Sequence, residues 1–176
     1  MKGSIAISKS SRHAKLIGDY GEALICNWLS RSAFEIVVVD HTGIDLVAYH
    51  RPSKRRLGIS VKSRTRVSGT EEGAVYLFRE TKNDRQKVLD ACLAFGCEPW
   101  IAMYIESESD AHLFLTSLEN YDQKYRKQGK VVDAWSMRRA DREKYEHDPE
   151  VRHIHIQFSD NNWVWNSLTK ALQRTA

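Results

Sequence analysis

Asp45, Ser60 and Lys62 are polar side chains set among apolar neighbours, where a hairpin would bring them together. Asp45 opens the strand-like run Gly43-Ile44-Asp45-Leu46-Val47-Ala48-Tyr49. Lys62 stands near the end of the next run, Leu57-Gly58-Ile59-Ser60-Val61-Lys62. Pro52-Ser53-Lys54-Arg55 reads as the turn between them, so the two runs form an antiparallel hairpin. The start of one strand then lies beside the end of the other, about 4.8 Å away. Ser60 and Lys62 are two residues apart and share a face. A carboxylate and an ammonium in a half-buried hairpin are costly unless paired or bound to something. One reading is a metal-binding aspartate with a lysine that meets phosphate or an attacking water; the other is a cross-strand ion pair at a sheet edge. Glu22, one position after Gly21 on a predicted helix, would add a second carboxylate and a hard-oxygen site suited to Mg²⁺. Its plain alternative is a solvent-facing helix glutamate.

The elements that must position these residues follow from periodicity. A first helix runs to about Arg31, capped by Ser10 or Ser11. Ile17, Tyr20, Leu24 and Trp28 lie on one face, widened by Ile25 and Leu29. Gly18 and Gly21 each weaken this helix by roughly 1 kcal/mol relative to Ala, and their use would be close packing against backbone. Phe34 to Val39 is rich in β-branched residues and reads as a strand ahead of the hairpin. A loop follows over 65–73, then a short segment from Ala74 to Phe78. A helix is expected over 81–95, stopped by Gly96. Trp100 to Ile105 reads as a buried strand and Ala111 to Leu115 as its hairpin partner. Short helices around 117–127 and 139–147 come next. His153 to Phe158 alternates strictly, which gives one polar and one apolar face. Trp163 to Gln173 would close the chain as a helix. This order predicts an α/β (α+β) fold with a central mixed sheet flanked by helices. Residues 1–110 would form the core and 111–176 an extension packed on the same domain.

The chain has 176 residues and a net charge of +4, unevenly spread. Residues 1–66 hold 12 Lys/Arg against 5 Asp/Glu, and the remainder 15 against 18. A basic first third fits a polyanion partner, because Lys and Arg release counterions from phosphates, though a merely solvated surface would look the same. Lys54, Arg55 and Arg56 in the turn, with Arg64 and Arg66 beyond Lys62, are the candidate backbone contacts. No apolar run reaches 18 residues, which argues against a membrane span. The start is too polar for a secretory signal. Cys26, Cys92 and Cys97 form no CxxC, so free thiols in a reducing, cytoplasmic setting are expected. His153 and His155 share a strand face at a spacing some metal sites use, but no third ligand is evident, and a polar sheet face is the simpler reading. His41 beside Asp40 is a turn residue or lies near the site entrance. Trp163 and Trp165 could stack on bases, pack in a core or make a dimer contact.

Gly18-Asp19-Tyr20-Gly21-Glu22, Gly43-Ile44-Asp45-Leu46 and Ile59-Ser60-Val61-Lys62-Ser63, in this order, resemble the PD-(D/E)xK nuclease superfamily. The look is nearest to archaeal Holliday-junction resolvases and related restriction-type catalytic domains. The resemblance covers residues 12–66, and the helix and strand at 81–95 and 100–105 fit its common core of helix, three strands, helix, strand. It implies a restriction-endonuclease-like fold in which Glu22 assists metal binding, Asp45 ligates Mg²⁺ (or Mn²⁺), and the Val61 carbonyl adds a ligand. Lys62 would orient the nucleophilic water. Ser60 stands where the family usually has Glu, Asp or Gln, and a hydroxyl is a weaker, neutral ligand. Many such enzymes act as dimers on DNA.

Three readings follow. The first is a metal-dependent DNA endonuclease in repair, recombination or defence. The second is the same fold with a weakened site that holds DNA or RNA without cutting. The third is an interaction domain in which Asp45 and Lys62 pair and Glu22 points to solvent.

Overall fold

The computed structural model describes residues 7–39 and 41–159; the expected helix from Trp163 to Gln173, with Trp163 and Trp165, and the neighbour Asp40 of His41 lie outside them. The first helix, α1, spans His13–Ser30. Neither Ser10 nor Ser11 caps it: Arg12 is the N-cap residue without a side-chain bond, and Ser10 offers its backbone carbonyl to the His13 amide. The buried stripe runs Ile17, Gly21, Ile25, Leu29, one residue round from the expected line. Tyr20 is half-exposed and meets the ring of Tyr104 edge-on. Gly21 explains the rotation. A Cβ there would lie 3.3 Å from the Cβ atoms of both Ser63 and Tyr104, so the helix sits directly on the sheet. Gly18 has no such neighbour and plays no packing role.

The strands β1 (Phe34–Val38), β2 (Leu46–His50) and β3 (Arg56–Thr65) follow as an antiparallel meander. Then come β4 (Val75–Arg79), a 3₁₀ turn at Glu80–Lys82 and α2 (Asp84–Phe95). The later elements are β5 (Glu98–Glu106), β6 (Asp110–Ser117), α3 (Leu118–Lys124), β7 (Val132–Trp135), α4 (Arg139–His147) and β8 (Arg152–Gln157). Six strands form one mixed sheet in the order β1-β2-β3-β5-β6-β8, parallel only between β3 and β5. Strands β4 and β7 pair apart from it. The order is the expected helix, three strands, helix, strand, with β4 added before α2. Strands β6 and β8 extend the same sheet beyond β5.

Alternation along β3 divides the core. Leu57, Ile59 and Val61 face α1 with Ile25, Leu46 and Trp100. Gly58, Ser60 and Lys62 face the other way, the side on which Val88 and Cys92 of α2 pack with Ile101, Met103 and Phe114. Each fully buried Ile or Leu stabilises by roughly 1.5–3 kcal/mol, so both helices are held to the sheet that carries the polar residues. No helix among the described residues is long and apolar enough to cross a membrane.

Candidate metal and nucleic-acid site

The register places Asp45 one residue before the Leu46–Ile59 pair, and its amide donates to the Ile59 carbonyl at 2.8 Å. Asp45 is therefore opposite Ser60, and Lys62 lies two residues further along the same face. The carboxylate of Asp45 accepts the Val61 amide at 2.6 Å, which holds it at the sheet end. Lys62 Nζ donates to Ser60 Oγ at 2.9 Å and to the Val61 carbonyl at 3.3 Å. No ion pair joins Asp45 and Lys62 among the described residues, and Glu22 is half-buried rather than turned out to solvent. The arrangement expected of a fortuitous cross-strand pair is not the one found.

The electrostatics link Glu22 to this set from across the sheet. Burial raises the Glu22 carboxyl, and the Asp45 charge raises it further. Burial lowers the Lys62 ammonium, while Asp45 and Asp84 pull the other way. Two carboxylates thus repel one another beside a partly desolvated lysine, a situation that a divalent cation relieves. The candidate donors, carboxylates of Asp45 and Glu22, the Val61 carbonyl and the Ser60 hydroxyl, are all hard oxygens of the kind Mg²⁺ takes, and of these Asp45 and Ser60 line the cleft itself.

Asp45, Ser60 and Lys62 line a cleft of about 220 Å³ whose far wall is the start of α2, with Asp84, Lys87 and Val88. Gly43 makes that wall possible. Its φ is +116°, and a Cβ would lie 2.4 Å from the Lys87 carbonyl oxygen. Asp84 and Lys87 bond to each other at 3.4 Å. Their approach to Asp45 depends on how α2 docks, which periodicity does not reveal; the only sequence signal is an aspartate in the first turn of a helix following a strand. A larger cavity of about 650 Å³ lies on the α1 face, among Trp28, Phe34, Trp100 and Ile154. It holds none of the acid–lysine set; its lining mixes these apolar side chains with His50, Arg55, Glu146 and His153.

The candidate basic contacts separate into two ends of β3. Arg64 is exposed just beyond Lys62, with one NH on the Ser63 carbonyl. Arg66 donates to the Gly73 and Ala74 carbonyls and ties down its own loop. Lys54, Arg55 and Arg56 sit at the turn; Arg56 is six residues before Lys62, about 20 Å away at ~3.3 Å per residue. Arg55 is engaged by Glu98 in a two-point ion pair, and Arg56 donates to the Phe95 carbonyl. A cluster the sequence did not reveal surrounds His153 and His155: His112 of β6 stands opposite His155, with Asp110 and Glu146 close by. His112 is visible as one polar position in an apolar strand, but its pairing with β8 crosses 34 residues of intervening chain. His41, the candidate entrance residue, meets the ring of Phe95 edge-on at 5.4 Å, and so lies at the far end of α2 from Asp84.

No protein-family model matches the chain, and no curated protein matches it. Among solved structures it is similar to Hjc of Archaeoglobus fulgidus, a Holliday junction resolvase from an archaeal hyperthermophile. The two are 17% identical, the likeness covers 68% of this chain and 83% of that one, and the TM-score is 0.49.

Proposed function

We propose that this chain is a divalent-metal-dependent endonuclease acting on DNA, with its reacting centre in the cleft between Asp45, Lys62 and the start of α2. The observation that carries the proposal is the gathering of Asp45, Ser60 and Lys62 in one cleft, with Glu22 close enough to feel the Asp45 charge. When bound, Mg²⁺ or Mn²⁺ would neutralise phosphate charge and lower the pKa of a water. Asp45 and Glu22 would hold it, with the Val61 carbonyl as a further donor. Asp45 is already oriented by the Val61 amide. Lys62 is held by two neutral acceptors, Ser60 Oγ and the Val61 carbonyl, so its charge is left for an anionic ligand. A cation fixed there opposes the charge that grows on phosphate as water attacks and the ester bond breaks. Arg64 would hold the adjoining backbone. A homodimer working in the cytoplasm would present two such clefts to two strands.

The test is cleavage of plasmid and four-way-junction DNA with Mg²⁺ or Mn²⁺, beside Asp45→Ala and Lys62→Ala. Metal-dependent cutting that both variants lose is expected. No cutting by the wild type, or equal cutting by Asp45→Ala, defeats the proposal. A second reading, nucleic-acid binding without cleavage, is favoured by one observation: β3 offers the cleft a hydroxyl, Ser60, already bonded to Lys62, where a carboxylate would bind metal more strongly. Salt-dependent binding of DNA or RNA with no metal-dependent cutting would support it. Failure to bind any nucleic acid at low salt would defeat both.

A further inference from the structure

Two strands away from Lys62, on the same face of the sheet, β6 and β8 carry a set of imidazoles that the nuclease reading does not use. Asp110 and His112 are two residues apart on β6 and share a face; His155 is the direct cross-strand partner of His112. All three are therefore mounted on paired strands rather than on loops. Asp110 Oδ2 lies 3.0 Å from His155 Nε2 and 3.3 Å from His112 Nε2. Tetrahedral ligands at bonds of about 2.0–2.1 Å stand roughly 3.3 Å from one another, so both separations are already those of atoms that share one ion.

The surroundings set the tautomer such a site needs. Arg142 donates to His112 Nε2 at 3.1 Å, which leaves that nitrogen as a lone-pair acceptor and puts the proton on Nδ1. His112 Nδ1 then donates to His153 Nε2 at 2.9 Å, and His153 Nδ1 faces Glu146 at 3.9 Å. A ligating histidine whose second nitrogen is held by a hydrogen bond is the usual outer support of a bound metal, and here His153 supplies that bond. The guanidinium of Arg142 thus caps the His112 nitrogen that a metal cation would use. Among the described residues its own buried Nε has no hydrogen-bond partner.

We propose that Asp110, His112 and His155 form a second metal site, distinct from the Asp45 cleft, that takes a borderline transition cation of the Zn²⁺ class. Two imidazoles and one carboxylate suit such ions over Mg²⁺. His112 is buried, but the side chains of Asp110 and His155 are 25% and 39% exposed, so solvent supplies the fourth ligand. Binding displaces Arg142 from His112, and His155 takes the tautomer with its proton on Nδ1 so that Nε2 can ligate. The ion fastens the edge strand β8 to β6.

Co²⁺ is the probe. Added to the full chain, it should give the visible d–d absorption of a tetrahedral site, saturating at a single equivalent and abolished by excess Zn²⁺. His155→Asn, at a part-exposed edge position, should weaken binding by at least about tenfold, and His153→Asn on the order of tenfold through the lost support. Asp45→Ala should leave the band unchanged. No saturable band, or equal binding by His155→Asn and Asp110→Asn, overturns the site. Should a variant misfold, histidine ¹⁵N NMR of the wild type decides: Zn²⁺ must shift His112 and His155 Nε2 and spare His13 and His50, and the opposite pattern rejects the proposal.

Discussion

Replacing Gly43 by Ala tests how the cleft is built. The backbone at Gly43 has φ +116°, a region closed to alanine, and the added Cβ would lie 2.4 Å from the Lys87 carbonyl oxygen and 2.6 Å from its carbon. These are helix backbone atoms and cannot rotate aside, so the loop or α2 must move. The forced φ costs about 1–3 kcal/mol and the overpacking about 1–3 kcal/mol more, together about 4 kcal/mol. At roughly 2–4 °C per kcal/mol for a domain of this size, the midpoint should fall by about 10 °C. Gly69→Ala is the internal control: its φ is +83° but no described atom lies within 4 Å, so only the strain of about 1–3 kcal/mol remains. Thermal unfolding of both variants measures the difference. At a temperature where both are folded, Gly43→Ala should also cleave DNA more slowly, because Asp84 and Lys87 shift away from Asp45. A Gly43→Ala protein as stable as Gly69→Ala would refute the close docking of α2 on this loop.

Other expectations follow from single residues. The buried Asp148 carboxylate accepts from Tyr125 at 2.6 Å, Asn120 at 3.0 Å, the Glu150 amide at 2.9 Å and half-exposed Lys124. Burial alone would raise its carboxyl; the hydrogen bonds outweigh this and hold it well below the ordinary range. Its stabilisation is therefore complete above about pH 4 and is lost as pH falls further, toward the folded value. Asp148→Asn should cost about 2–4 kcal/mol at pH 7, and urea unfolding at pH 7 and pH 3 should show the gap from wild type narrowing in acid; an unchanged gap would contradict it. Arg64→Ala should reduce the slope of log K for DNA against log salt by about one. Arg55→Ala, whose cation is already spent on Glu98, should leave the slope unaltered, and equal slopes would reject this division of roles.

Much of the site was legible because a hairpin is a local object. The turn at 52–55, the alternation of Ile59, Val61 and their polar neighbours, and Gly43 ahead of Asp45 fix the face and the end of the sheet on which Asp45, Ser60 and Lys62 meet. Helix α1 was legible as an element, but its buried stripe was rotated by one residue, because Gly21 removes the side chain that would have held it off Ser63. Residues that meet through distant packing were not legible. Asp84 reaches the cleft only because α2 docks on Gly43. Strand β7 is four residues long and pairs with β4 apart from the main sheet, so it carries too little periodicity to read. His112 joins His155 across α3, β7 and α4, and a two-residue alternation on β8 alone could not name its partner. The parallel pairing of β3 with β5, which sets Lys62 beside Met103, likewise rests on a crossover rather than on local pattern.

The most direct measurement of the central claim is the single-turnover rate of cleavage of a labelled DNA across a Mg²⁺ titration, for wild type and Asp45→Ala. The account predicts a wild-type rate that rises with Mg²⁺ and vanishes with chelator. It predicts for Asp45→Ala a rate lower by on the order of 10²-fold or more at every concentration, with DNA binding retained. A wild-type rate indifferent to metal, or an Asp45→Ala rate equal to it, would contradict the assignment of this cleft as a metal-dependent nuclease centre.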